Sequence, residues 1–215
     1  SLDVIQPIVR FARNADGSFD FGIGKTEDVG AINRVLLALT TPAVANNPAA
    51  VLRRIAVTDA IFHFEDGLTG LTWQSRDADL LIRRDDAGVS GDMQADLDFG
   101  TLVLPIGASA RLDYSDRTID VGVDFVGLLP EVIAPLLPQL EPLKRIGMPL
   151  TGGFSLRVEP NGSVDEIGFS IVGREGSLDV TPFVAKPIDL TRLEAEGEID
   201  TAGSIVVFNE LLLTS

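Results

Sequence analysis

Few residue groupings in the sequence have the types and spacing that chemistry would need. Gly24-Lys25-Thr26 looks like the end of a phosphate-binding loop, in which a glycine-rich turn and a lysine cradle phosphates. That motif requires a glycine five positions before Gly24, where Phe19 stands, and no parallel βαβ pattern follows. A plain connection from hairpin to helix is the simpler reading. His63 is the single histidine, whereas catalytic triads and imidazole metal sites need further convergent groups. On the strand over 60–65 it shares a face with Ile61 and Glu65, opposite Phe62 and Phe64, as a solvent-facing residue does. The acids Asp77/Asp79, Asp96/Asp98 and Glu194/Glu196/Glu198 recur at two-residue spacing, which hard oxygen ligands for calcium could use. No calcium loop with its glycine and terminal glutamate accompanies them, and outward carboxylates also keep a sheet soluble and discourage edge pairing. Nothing distinguishes any two of the 32 acids as a glycosidase pair. Trp73 and Leu71 read as core or groove lining. No residue set makes an enzyme convincing, and no metal or cofactor is expected.

The elements that must carry these residues are strands. Apolar and polar residues alternate with period two, which places one set on each face. Val89, Gly91, Met93, Ala95, Leu97 and Phe99 alternate with Ser90, Asp92, Gln94, Asp96 and Asp98. Ile106, Ala108, Ala110, Leu112 and Tyr114 repeat the pattern, and after the Ser115-Asp116-Arg117 turn come Ile119, Val121, Val123 and Phe125. Ala78, Leu80 and Ile82 stop at Asp85-Asp86-Ala87-Gly88; Phe154, Leu156 and Val158 stop at Pro160-Asn161-Gly162, before Ile167, Phe169 and Ile171. Leu193, Ala195, Gly197 and Ile199 alternate with acids, stretches over 4–11 and 18–23 flank Asn14-Ala15-Asp16-Gly17, and 205–213 closes the chain. Asn/Asp-Gly pairs explain the reversals, because they tolerate positive φ.

Two stretches break the pattern. Asp28 can cap a helix bearing Ile32, Val35, Leu36 and Leu39, ended by Pro42. From Pro130 to Ile146 a Leu-rich stretch contains Pro135, Pro138 and Pro142, so short helical turns are expected rather than one rod. This stretch has only Lys144 and Arg145 as basic residues, which favours packing onto the sheet over an interfacial membrane segment. The expected fold is therefore mainly β with two short helical segments: a long curved antiparallel sheet, half-pipe or taco-like, with a hydrophobic inner face. About twelve strands at ~4.8 Å spacing could not stay flat with one greasy side in water. The sheet must curl, split into a sandwich or be plugged.

Composition narrows the partners. The 215 residues include 32 acidic and 17 basic ones, a formal charge of −15, and nucleic acid would repel that balance. Hydrophobic residues at 45% and charged ones at 23% describe a globular chain. Cysteine is absent, so thiol chemistry and disulfides are excluded. No apolar run reaches the ~20 residues of a membrane-spanning helix, and no signal peptide opens the sequence; an anchor would lie outside it.

The segment Ile55-Ala56-Val57-Thr58-Asp59-Ala60-Ile61-Phe62-His63-Phe64-Glu65-Asp66, followed by Gly70-Leu71-Thr72-Trp73, resembles the AsmA-like proteins of proteobacterial envelopes, in particular their YhdP-type branch. Further matches are Arg83-Arg84-Asp85-Asp86-Ala87-Gly88-Val89-Ser90-Gly91, the Leu/Pro stretch running into Met148-Pro149-Leu150-Thr151-Gly152, and the hairpin from Phe154 to Ile171. The resemblance covers most of residues 50–215. It implies an internal segment of a longer periplasmic protein whose parent is anchored to the inner membrane. Relatives of TamB and chorein type have curved sheets with an apolar trough and are implicated in moving phospholipid between membranes. The organisation expected is a hairpin and helix over 1–49, ending a preceding repeat, then an AsmA-like β region over 50–215 with a helical insert at 128–147.

Three readings stay open. The first is a non-catalytic lipid-binding or lipid-transfer segment serving outer-membrane biogenesis. Its partners are phospholipid or another acyl lipid and other envelope proteins. Its candidate trough residues are Val89, Met93, Leu97, Phe99, Ile106, Leu112, Ile119, Val121, Val123, Phe125, Phe154 and Leu156. The second is a closed β-sandwich acting as an interaction or assembly module of the envelope. The third, more distant, is a hydrolase built on acidic residues.

Overall fold

The computed structural model describes residues 1–15, 19–23, 52–67, 70, 72–100, 102–134, 143–164, 166–181, 184, 186–200 and 205–215, with the backbone alone for 19–23. Gly24-Lys25-Thr26, Leu71 and the helix expected from Asp28 lie outside them. The chain is mainly β, as the alternation predicts. It divides into two compact units, Ser1–Val121 with Val158–Gly162, and Gly122–Arg157 with Ser163–Ser215.

In the first unit the strands are β1 (Leu2–Ile5), β2 (Ile8–Arg13), β3 (Phe19–Ile23), β4 (Arg54–Asp66), β5 (Thr72–Arg84), β6 (Gly88–Asp98) and β7 (Val103–Asp113). Their order is open, β7-β6-β5-β4-β2-β3, with β1 also on β4. From β4 to β7 the neighbours are antiparallel hairpins. The Asp85 turn shows why they reverse where they do. Asp85 Oδ1 accepts the Ala87 and Gly88 amides at 2.8 Å each, and the Asp85 amide donates to the Gly88 carbonyl at 3.0 Å. These donors hold the Asp85 carboxyl below the usual carboxylate range, the Gly88 amide most strongly.

Two pairings depart from the expected antiparallel sheet. β1 and β2 run parallel to β4, with Leu2 beside Ile55 and Ile8 beside Ile61. Parallel neighbours need a long crossover, and the stretch over 24–53 supplies its length. The same pairings join residues on both sides of position 49 within one compact unit.

β8 (Ile119–Leu128) begins in the first unit and ends in the second. The second unit continues with a short helix α1 (Pro130–Ile133), then β9 (Ile146–Gly147), β10 (Leu150–Val158), β11 (Glu166–Leu178), β12 (Ile188–Asp200) and β13 (Ile205–Thr214). Its order is β13-β12-β11-β10-β8, with β9 on β11. Among its described residues the expected helical insert is helical over Pro130–Ile133, with single 3₁₀ turns at Ala134 and 143–145; Pro135, Pro138 and Pro142 lie outside them. The chain then returns Met148 onto the sheet at 1% exposure. A Cβ on Gly173 would come within 2.4 Å of Met148 Sδ, and one on Gly176 within 2.3 Å of Met148 Cβ. The two glycines thus form a socket for Met148, ringed by buried Leu150, Leu190 and Leu193.

Candidate functional site: an apolar sheet face

Register in the first unit lines the apolar residues of successive strands side by side. Val9 pairs with Phe62 and Phe11 with Phe64; Val57 pairs with Leu80 and Phe64 with Trp73. Leu80 pairs with Met93, Met93 with Ala108, Ala95 with Ile106 and Val89 with Leu112. One face of the sheet is therefore continuous hydrocarbon from β2 to β7. Its ends are polar. Arg13 makes a two-pronged pair with the buried Asp66, its Nε donating to Oδ1 at 2.9 Å and its Nη2 to Oδ2. That hydrogen bond raises the Arg13 pKa. At the opposite end of β5, the buried Arg84 lies 6.0 Å from the Tyr114 ring centroid.

The middle of this face is set by irregularities. Gln6 and Asp59 have φ of 51° and 52°, and register slips near Ala60 on β4 and between Gln74 and Asp79 on β5. A bulge adds a residue to one strand and bends it. Here the extra residues fall in the polar doublets Thr58-Asp59 and Arg76-Asp77, so Val57 and Ala60, and likewise Ser75 and Ala78, share the apolar face. Asp79 Oδ1 accepts the Asp59 amide at 3.1 Å, which gives one of the sequence's paired acids a structural duty. Among the described residues no cluster of three or more His, Asp or Glu side chains could hold a metal ion.

At the centre, Ala60, Ala78 and Ala95 form a buried cluster at 0%, 0% and 7% exposure, while Val57, Phe62, Leu97 and Ile106 packed around them are only partly buried. Small side chains buried between taller, partly wet ones describe a face whose depth comes from its own walls. Beside them is a concavity of about 220 Å³, lined by Phe11, Phe62, Phe64, Trp73, Ser75, Met93 and Leu97 among others. Phe11, Phe64 and Trp73 stack in series with centroids 5.1 Å apart.

No protein-family model, curated protein or solved structure matches this chain.

Of the sequence-derived candidates, Val89, Met93, Leu97, Ile106 and Leu112 stand on this face by register. Phe99 follows the end of β6 at Asp98, whose Oδ1 accepts the Gly100 amide at 2.7 Å, and lines a strand-end depression of about 320 Å³ with His63, Phe64, Trp73 and Asp98 among others. His63 itself pairs with Gln74 across the face opposite Phe62 and Phe64. Ile119, Val121 and Val123 are half-buried on β8. Phe125 and Phe154 belong to the second unit, with centroids 5.8 Å apart. There they line a separate depression of about 650 Å³ with Phe169, Asp124 and Glu196 among others. Leu156 pairs with Ile167 in the same unit. The sequence reading missed Val9, Phe11, Phe62, Phe64 and Ser75 as a lining set. β13 also differs from its neighbours: Ile205, Val207 and Leu212 lie beside Asp200, Glu198 and Glu194, so this edge strand carries apolar residues on both faces and is exposed along its length.

Proposed function

We propose that this chain is a lipid-binding and lipid-transfer segment of a bacterial envelope protein, holding acyl chains against an apolar β-face during phospholipid movement between inner and outer membranes. The observation that carries this reading is the alanine-centred cluster of the first unit, around which Val57, Phe62, Leu97 and Ile106 stay partly exposed. A sandwich would bury those larger side chains first, because each contributes about 1.5–3 kcal/mol when removed fully from water. The resemblance to AsmA-like proteins supplies the periplasmic setting, the inner-membrane anchor of the parent and the phospholipid cargo. The role needs no catalytic group.

Native mass spectrometry of the purified protein, before and after incubation with phosphatidylethanolamine vesicles, tests the reading. Bound phospholipid is expected. A protein that stays empty, and takes up no hydrocarbon fluorophore, overturns it in favour of an assembly module, for which the exposed apolar edge of β13 offers a surface.

A further inference from the structure

β13 is a sheet edge without the usual protection. Among the described residues it pairs with β12 alone, and none of its ten residues is buried. Seven of the ten are large hydrophobic residues exposed at 42–56%. Edge strands are normally blunted by lysine, proline, charge or short length, whereas β13 has no lysine or proline and carries Glu210 as its single charge.

The register on β12 makes this strand symmetric. Phe208 lies beside Gly197 and Glu210 beside Glu196, so Asn209 is an extra residue, a bulge. It resets the alternation at mid-strand. Val206 and Phe208 before it, and Leu211 and Leu213 after it, share the face of Ile199 and Leu193. Ile205 and Val207, with Leu212 and Thr214, share the face of Glu198 and Glu194. Each set is symmetric about the Asn209–Glu210 bond. A second copy related by a two-fold axis therefore sets Val206 opposite Leu213, Phe208 opposite Leu211 and Val207 opposite Leu212, each pair on one face. Asn209, a donor, meets Glu210 of the second copy, an acceptor. Sliding by one residue would set Phe208 opposite Glu210, which belongs to the other face.

We propose that β13 is a homodimerisation edge, at which two copies of this chain join in an antiparallel β13–β13 pair centred between Asn209 and Glu210. Ten residues a side form about ten backbone hydrogen bonds, as many as a typical protein interface carries. They fall short of the roughly 20–30 residues a side of a standard interface, so dissociation on the order of 10–100 μM is expected. The contact closes on itself, whereas pairing with a different edge would be head-to-tail and open-ended. It uses residues of the second unit only and is independent of the lipid reading.

Sedimentation velocity over about 5–500 μM brackets that constant. About 0.5 M salt screens the repulsion between two copies of net charge −15. Wild type should pass from monomer to dimer. Val207→Lys and Leu212→Glu, both at exposed positions, should each weaken the dimer about 10-fold or more, because each sets a charge against hydrocarbon twice over. Mixing the two variants should restore a dimer in which lysine faces glutamate at one contact and Leu212 faces Val207 at the other. Ile5→Lys, at a residue 72% exposed on β1, should leave the dimer unchanged. In wild type, hydrogen exchange of the β13 amides should slow at the highest concentration relative to the lowest. A protein monomeric over the whole range overturns the proposal and leaves the edge to a different polypeptide. A dimer indifferent to Val207→Lys, equal exchange rates in monomer and dimer, a mixture that stays monomeric, or a species that keeps growing with concentration overturns it too.

Discussion

Met93→Glu separates an unfilled apolar face from a sealed core. Met93 stands between Leu80 and Ala108 on the apolar face of the first unit, half-buried at the wall of the concavity. Full burial of a methionine is worth about 1.5–3 kcal/mol, so losing a half-buried one costs about 1 kcal/mol. A glutamate of similar length can turn its carboxylate to water along an uncovered face. The melting temperature should then fall by about 2–4 °C, the shift expected per kcal/mol in a chain of this size. Under a covering layer the carboxyl would be desolvated, its pKa pushed up by about 3–5 units at ~1.4 kcal/mol each, and the melt would drop by well over 8 °C. Ligand binding responds the other way. Displacing two methylenes of an acyl chain from the wall removes about 1.6 kcal/mol, or roughly 15-fold in affinity for methyl laurate. The assay pairs a thermal melt with diphenylhexatriene displacement, and Met93→Leu should leave both unchanged. Collapse of the fold, or unaltered ligand affinity in a well-folded variant, would refute the reasoning.

Two further substitutions probe what shapes the sheet. Asp85→Ala removes the acceptor for the Ala87 and Gly88 amides. Because the folded carboxyl has a pKa below its unfolded value, its contribution is present above about pH 4, the unfolded value, and is lost as pH falls through the lower folded value. Denaturant midpoints of wild type and variant should therefore differ at pH 7 and draw together as pH falls below about 4; a constant gap would contradict the turn's role. Gly176→Ala would bring a Cβ within 2.5 Å of the Gly147 carbonyl and 2.3 Å of Met148 Cβ, costing about 1–3 kcal/mol by overpacking. Gly91→Ala, whose Cβ would meet only Ile82 Cγ1 at 4.0 Å, should stay within about 0.5 kcal/mol of wild type. Equal penalties at the two glycines, read from urea midpoints, would argue against the difference between the two faces.

Much of this was legible in the sequence where period two holds without interruption. The runs from Val89 to Leu97 and from Ile106 to Leu112 become β6 and β7 with the expected faces. Legibility fails where the period slips. Val57 and Ala60 face the same way because Asp59 takes a positive φ, and the polar doublets Thr58-Asp59 and Arg76-Asp77 are the visible trace of that slip. Reading them as bulges would have added Phe62, Phe64 and Ser75 to the lining. The parallel placement of β1 and β2 leaves no trace in alternation, since period two fixes faces and says nothing of neighbour direction.

The two units give the same alternation different fates, and the cause can be named. On β11, Gly173 and Gly176 leave space above the strand, and Met148, which follows β9, fills that socket. The small residues of the first unit, Ala60, Ala78, Ala95 and Ser75, create a comparable low place, but no described residue enters it. A shallow site ringed by Phe62, Leu97 and Ile106 loses hydrocarbon contact unless something apolar occupies it, and in the second unit a methionine thioether does so permanently. In the first, the occupant must be exchangeable if lipid is to move. Weak, length-dependent binding is then the functional requirement: each half-buried methylene contributes about 0.4 kcal/mol, half its full-burial value, enough to hold a chain of a dozen carbons by about 5 kcal/mol and still release it.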